Sequence, residues 1–378
     1  MHNPQSPSRA PPTNPAPLAA TQIVPPGKLN PREAAVVEAF ERNTYSVVNI
    51  VDVTLVGRAG SFEGSVEIPE GNGSGVVWDD AGNIVTNYHV LGNLLRGMSP
   101  DLVANPQARR IKAAAVTVID SRGRNQTFDG YLVGVDRSKD LAVINVQAPP
   151  GVLRPVAVGD SDGLRVGQQV LCIGNPFGFD HTLTVGVVSA LNRDVTSAGS
   201  VIPGGVQVDA AINPGNSGGA LLDSAGKLVG INTAIFTPTG TSQGIGFALP
   251  SRAVARVVPQ LIQSGRVTRP TLGVQVSSPG TAKQLGVKSG AMVQAVQGGS
   301  PAAVAGLLPT RRSLGGILAG DVITKITLAD GTAVEVAAEA GLNEAIDRIS
   351  PGETVAIDIV RSKSDKEKEN LTVKVTLK

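Results

Sequence analysis

Between residues 45 and 250 the chain alternates short β-branched runs with Gly, Asn and Asp, and that rhythm restricts its fold more than any other feature. The runs "SVVNIV", "GVVW", "NIVT", "AVTVID", "YLVGV", "LAVINV", "QVLCIG", "TLTVGVVSAL", "KLVGINTAIF" and "GIGFAL" are short, and their residues suit a pleated, half-buried surface. Many short strands with regular turn signals build a sandwich or barrels, and a stretch of about 200 residues is generous for one sandwich. The pattern therefore predicts a mostly β fold with two packed β-barrels.

The flanks read differently. Residues 1–29 are crowded with Pro, Ser, Ala and Asn and predict a disordered arm. A short helix follows, with Asn30 as cap, Pro31 at its first position and Glu33 at the capping-box spacing before "AAVVEAF". "PSRAVARVVPQLIQSG", 250–265, predicts a second helix, capped by Ser251 and interrupted or kinked at Pro259, and a natural domain boundary. Residues 269–378 mix strands with two expected helices, "SPAAVAG" and "AEAGLNEAIDRI". Their last strands, "TVAIDIV" and "LTVKVTL", flank a charged tip. The expected organisation is an arm over 1–29, a β-rich domain over 30–265 that includes both helices, and an α+β domain over 269–378.

Composition excludes several functions. With 33 basic against 31 acidic residues the net charge is only +2, and no Lys/Arg block is present, which argues against a nucleic-acid partner. A single cysteine, Cys172, forbids an internal disulfide and sits in an apolar run as a small core residue. One cysteine and three histidines, without H-E-x-x-H, do not assemble a zinc site, so no metal or cofactor is expected. The longest uncharged tract, 228–249, is broken by Gly, Pro, Ser, Thr and Asn and does not predict a membrane span. The first 30 residues show neither an apolar signal region nor an Arg-rich transit pattern, so the chain is either soluble where it is made or has already lost a targeting segment.

The stretch "DAAINPGNSGGALL", 209–222, places Ser217 among small, flexible residues between two apolar runs. Such a segment is either a glycine-rich turn or a nucleophile loop whose glycines let N–H groups crowd a reacting carbonyl. A serine nucleophile needs a base, usually histidine, and the base needs an orienting carboxylate. Of the histidines, His2 lies in the arm, and His181 in "FGFDHTLTVG" reads as a surface residue opening a strand. His89 in "NIVTNYHVLGN" stands where a strand ends and a helical turn begins, a position compatible with catalysis or with a structural role. Asp140 in "DRSKDLAVINV" stands at the threshold of a buried strand, whereas its rival Asp136 reads as solvated. The order His89, Asp140, Ser217, split between two barrels, is that of double-barrel serine proteases.

Together "TNYHV", "KDLAV", "IGNPFG", "DAAINPGNSGGALL" and "GINTAI" resemble the Deg/HtrA family of ATP-independent serine endopeptidases, and "RPTLGV", "SPAAVAGL" and "GDVI" resemble a PDZ domain. "DHTLTVG" and "TNYHV" are similar to the plant and algal chloroplast branch in particular. The resemblance implies a trypsin-like protease domain followed by one PDZ domain. It implies Ser217 as nucleophile, His89 as general base and acid, Asp140 as its orienter, and an oxyanion hole from the N–H groups of Gly215 and Ser217 with Asn216 nearby. Ala220 departs from the proline usual in the family, which stiffens the loop less and leaves the donors intact.

By the same resemblance Ala211, six residues before Ser217, lines the base of the S1 pocket. Ile231 and Ile245 are further apolar lining, and substrate backbone pairs beside Thr233 and Ala234. A pocket without a counter-charge predicts small to medium apolar P1 residues. Leu272, Gly273 and Val274 would capture a peptide's C-terminal carboxylate, and the peptide would add as a strand against a helix at 337–349. The family also implies trimers or hexamers, with Phe40 and Tyr45 as contact candidates. It implies unfolded or damaged proteins as substrates and the chloroplast, thylakoid lumen included, as location, with a bacterial periplasm as the alternative. Two rival functions share this sequence: a chaperone-like scaffold that binds unfolded chains without cleaving them, and an esterase using the same triad. Loops such as 193–205 are candidates to order only on activation.

Overall fold

A computed structural model describes residues 27–56, 71–98, 111–120, 122–176, 178, 181–197, 200–233, 244–313, 316–364 and 367–378. The expectations for residues 1–26, His2 among them, lie outside that set. The first barrel closes in the order β1 (Val47–Asp52), β2 (Asn72–Val77), β3 (Asn83–Thr86), β6 (Leu141–Val146), β5 (Asn125–Asp136), β4 (Lys112–Ile119). The second closes as β10 (Ala220–Asp223), β11 (Leu228–Thr233), β12 (Gly246–Pro250), β9 (Ser200–Val208), β8 (Thr182–Ser197), β7 (Gln169–Gly174).

Strand alternation sorts the apolar side chains into separate cores, because neighbouring residues face opposite sides of a sheet. Val48 and Ile50 fill the first barrel with Ile84, Val116, Leu132 and Ile144. Their neighbour Val47 faces outward into a core shared by both barrels. In the same way Val170 and Cys172 fill the second barrel, while Leu171 and Ile173 enter the shared core. Each fully buried Val, Leu or Ile contributes on the order of 1.5–3 kcal/mol, so the shared core fastens the barrels firmly.

Helix α1 (Pro31–Asn43) carries the capping box anticipated from the sequence: Asn30 accepts from the Arg32 and Glu33 N–H groups, and Glu33 reaches back to the Asn30 N–H. Single turns α2 (Val53–Val56) and α3 (Gly92–Leu95) lie within the first barrel's connections. Helix α4 (Ser251–Ser264) buries Val254, Val257, Val258 and Leu261 on one stripe and runs through Pro259 without a break. Ser251 is not its cap. That position is Pro250, and the Ser251 hydroxyl instead donates to Gly159 O at 2.8 Å and accepts from the Ser161 N–H at 3.2 Å.

Beyond α4 a sheet runs β13 (Val274–Val276), β14 (Ala291–Val296), β17 (Val322–Thr327), β19 (Thr354–Ser362), β20 (Lys368–Thr376), with β18 (Ala333–Glu335) on β17. β15 (Arg311–Ser313) and β16 (Gly316–Leu318) form a separate hairpin. Among the described residues three helices, not two, accompany it: α5 (Pro279–Gln284), α6 (Pro301–Val304) and α7 (Glu339–Asp347). Helix α5 follows Ser278, whose hydroxyl caps the Thr281 N–H, with Pro279 at the first position. The edge strand β13 starts at Val274.

Ion pairs join this sheet domain to the first barrel. Asp347, ending α7, meets Lys139 at 2.5 Å and Arg269 at 3.3 Å, and Arg269 also pairs with Asp136. Asp136 is therefore not solvated: it is 5% exposed, and it also caps the turn before Asp140 through the Ser138 N–H. No helix among the described residues is long and apolar enough to cross a membrane.

Candidate active site

His89 lies in a 3₁₀ turn, Tyr88–Leu91, directly after β3, and Asp140 lies directly before β6. Because β3 and β6 are paired, Thr86 opposite Ala142, strand pairing alone brings the two residues together. The Asp140 carboxylate is wholly buried and takes both of the histidine's nearby donors, the backbone N–H at 3.0 Å and Nδ1 at 2.8 Å. An imidazole that donates from Nδ1 presents its Nε2 lone pair outward, the state a general base requires. Asp140 holds a left-handed backbone, φ 52°, rare for a residue with a side chain. Its carbonyl is fastened on both sides, by the Tyr88 N–H at 3.1 Å and Asn87 Nδ2 at 3.0 Å.

A third donor reaches Asp140 from the second barrel: Ser197 Oγ, 2.6 Å from Oδ2. Ser197 ends β8, whose pairing with β9 runs through Arg193–Gly205 and Val195–Ile202 to Ser197–Ser200. The segment 193–205, expected to be a loop, is paired strand over these residues. His181 is absent from this group. It is half-buried, not a surface residue, and its Nε2 lies 2.7 Å from Val47 O.

Ser217 is 3% exposed and lies beside the same turn. A side chain at Gly73 would meet Val90, the neighbour of His89, at 2.7 Å and the Ser217 carbonyl at 3.0 Å. The loop needs its glycines for two reasons. Gly215 holds φ 97°, and a Cβ on Gly218, φ 82°, would stand 2.1 Å from Ser74 O. The loop is tied to its own barrel by Gly218 N–H to Asn232 O at 2.8 Å and Asn232 N–H to Gly219 O at 2.9 Å. Gly215, Asn216 and Ser217 are all buried. The Gly215 N–H makes no hydrogen bond among the described residues.

The expected pocket residues separate. Ala211 is half-buried at the entrance of the nucleophile loop and accepts from Thr184 Oγ1 at 2.9 Å. Ile231 differs from Ile245 in exposure. It is fully buried in the shared core, paired with Ala220 and Leu249. Ile245 is 47% exposed, Thr233 is buried with its hydroxyl accepting from Asn87 Nδ2 at 3.1 Å, and Ala234 lies outside the described residues. Phe40 packs against the shared core, and Tyr45 is covered by the Arg154 guanidinium 4.9 Å from its ring centroid. In the sheet domain, Leu272 is buried, and its carbonyl accepts from the Ala302 N–H at 3.0 Å. Gly273 turns with φ 72° and donates to Thr271 Oγ1 at 3.1 Å, and Val274 opens the edge strand.

Sequence reading missed Ser74, Asn87 and Ser197. For Ser74 a signal existed: glycines flank it inside a strand, "GSG", which marks close backbone approach. Nothing local marks Ser197.

Comparisons with known proteins agree with this geometry. Residues 73–231 match the trypsin-like peptidase domain and residues 270–375 the PDZ domain. Protease Do-like 8, chloroplastic, of Arabidopsis thaliana is 53% identical over 91% of this chain and 74% of its own length. Protease Do-like 1, chloroplastic, of the same plant is 44% identical over 94% of this chain and 75% of its own length. The periplasmic serine endoprotease DegP of Escherichia coli is 41% identical over 67% of this chain and 48% of its own length. Among solved structures, the HtrA-type protease AlgW with a decapeptide superposes with a TM-score of 0.61 at 32% identity, covering 90% of this chain and 98% of that one. With a trypsin-like double barrel, a PDZ domain and relatives of this similarity, the chain is a serine endopeptidase of the Deg/HtrA family.

Proposed function

We propose that Ser217 is the nucleophile, His89 its general base and acid, and Asp140 the group that orients the imidazole, within a domain spanning residues 30–265. One observation carries this reading: a wholly buried carboxylate takes both His89 N–H donors while the glycine loop bearing Ser217 is seated against the same turn. Ser217 Oγ bonds to the scissile carbonyl carbon as its proton passes to His89 Nε2. The N–H groups of Gly215 and Ser217, beside Asn216, hold the developing oxyanion. Collapse breaks the C–N bond, the proton passes from Nε2 to the departing amine, and water then cleaves the acyl-enzyme by the same route.

Ala211 supports a P1 preference for small to medium apolar side chains, because a basic side chain there would be buried without a partner. The preference is broad, since a methylene is worth only about 1–3 kcal/mol of discrimination, and breadth suits unfolded or damaged chains as substrates. Residues 269–378 form a peptide-binding domain. The turn at Leu272, Gly273 and Val274 takes a C-terminal carboxylate, and the peptide pairs with the edge strand β13. The similarity to the HtrA-type protease AlgW with a decapeptide supports peptide binding as such. Residence in a chloroplast or a periplasm follows the named locations of the relatives, whereas the thylakoid lumen and assembly as a trimer or hexamer rest on the family resemblance alone.

The test is Ser217→Ala. It is expected to fold normally and to lose turnover of β-casein by about a millionfold, as nucleophile removal does generally. Retained cleavage would overturn the assignment. Mass spectrometry of wild-type casein fragments tests the pocket, and a predominance of cuts after Arg and Lys would refute the role given to Ala211.

A further inference from the structure

We infer that Ser74, on β2 of the first barrel, is a positioning residue for the oxyanion donors, which lie in the second barrel. The inference rests on the catalytic reading of Ser217 given above. Ser74 is wholly buried, and every hydrogen-bonding group it has is engaged. Its hydroxyl donates to Gly215 O at 2.6 Å and accepts from the Asn175 N–H at 2.8 Å. Its N–H donates to Ser217 O at 2.8 Å, and its carbonyl accepts from Thr86 Oγ1 at 2.7 Å.

The location of these bonds matters more than their number. The two donor peptides of the site end at the Gly215 and Ser217 N–H groups. Between them lies one peptide unit, formed by the Gly215 carbonyl and the Asn216 N–H. Ser74 Oγ holds the carbonyl end of that unit, and Asn213 O holds its N–H at 3.0 Å. Gly215 holds φ 97° and has no side chain to hinder rotation, so without Ser74 the unit between the donors is held at its N–H end alone. Ser74 also grips the carbonyl of Ser217, the residue that supplies the second donor. The clamp acts where charge develops, so its loss should affect turnover and not ground-state binding.

Ser74→Ala and the isosteric Ser74→Cys test this, with a chromogenic peptide substrate and a peptide aldehyde that occupies the oxyanion site as a hemiacetal. Both variants are expected to lower kcat about 10–100-fold with KM within twofold of wild type. Aldehyde affinity should fall in step with kcat, whereas a peptide lacking the aldehyde should bind as before. Ser74→Cys covers the case in which Ser74→Ala fails to fold. An unchanged kcat in a folded variant, or a KM that rises as far as kcat falls, would overturn the inference. Ser217→Ala assayed alongside separates the two claims: if it retains activity, the catalytic reading itself fails, whatever the Ser74 variants do.

Discussion

The two barrels hold their parts of the site by different means. In the first, His89 and Asp140 stand on single turns at the ends of paired strands, and the carboxylate clasps the histidine through two hydrogen bonds made within the same barrel. In the second, Ser217 stands in a loop of Gly and Asn with little rigidity of its own. Its shape depends on its bonds to Asn232 of its own barrel and on contacts with Ser74 and Thr86 of the other. The traffic runs both ways, since Ser197 of the second barrel donates to Asp140 of the first. A strand-end turn can position a side chain by pairing alone, but a loop that must offer two N–H donors to one oxygen has to be held from outside.

Each half can be broken separately. Asp140→Asn attacks the first: it keeps the shape but presents an amide where Nδ1 needs an acceptor, which mis-sets the imidazole tautomer. It is expected to lower kcat by about 10⁴ while circular dichroism and Tm stay near wild type. A loss below tenfold would show that the carboxylate is not what orients His89.

Gly218→Ala attacks the second half through sterics, and Gly204→Ala sharpens it. Both glycines have nearly the same positive φ, 82° and 83°, but Gly204 faces open space whereas a Cβ at 218 would stand 2.1 Å from Ser74 O. The left-handed cost of about 1–2 kcal/mol is common to both. Crowding at 218 should add about 1–3 kcal/mol, read as a lower urea midpoint for Gly218→Ala than for Gly204→Ala. Equal midpoints would mean that the inter-barrel seam yields easily.

Ser197→Ala tests the reverse crossing and is expected to have a milder effect, about tenfold in kcat, because His89 retains both bonds to Asp140. A loss as large as that of Asp140→Asn would make the two barrels equal contributors to the acid-base pair.

The smallest effect is at Cys172, inside the second barrel, where burial pushes the thiol up to about 12. The native protein should not react with a thiol reagent at pH 8, and one thiol should appear on unfolding. Reaction without unfolding would show that the second barrel opens more readily than its packing implies.

Local chemistry by itself determined the strand rhythm, the two barrels and the capping box of α1, and it narrowed the candidates for the triad that the family resemblance then named. Each of these depends on residues close in sequence, or on residue types with few competitors, such as three histidines in the whole chain. It misplaced Ser251 and Asp136 because a hydroxyl or carboxylate at the edge of an element looks the same whether it faces water or a distant partner. Asp136 meets Arg269, 133 residues away, and Ser251 meets Gly159, 92 residues away. At Ile231 both faces of a strand between two cores are apolar, so no pattern tells lining from interior. Only the tertiary structure decided which hydroxyls cross between the barrels. Ser74 reaches Gly215 over 141 residues, and Ser197 reaches Asp140 over 57. Such bonds exist only once both barrels have closed and docked, because an isolated serine satisfies itself with water and leaves no periodic trace in the chain.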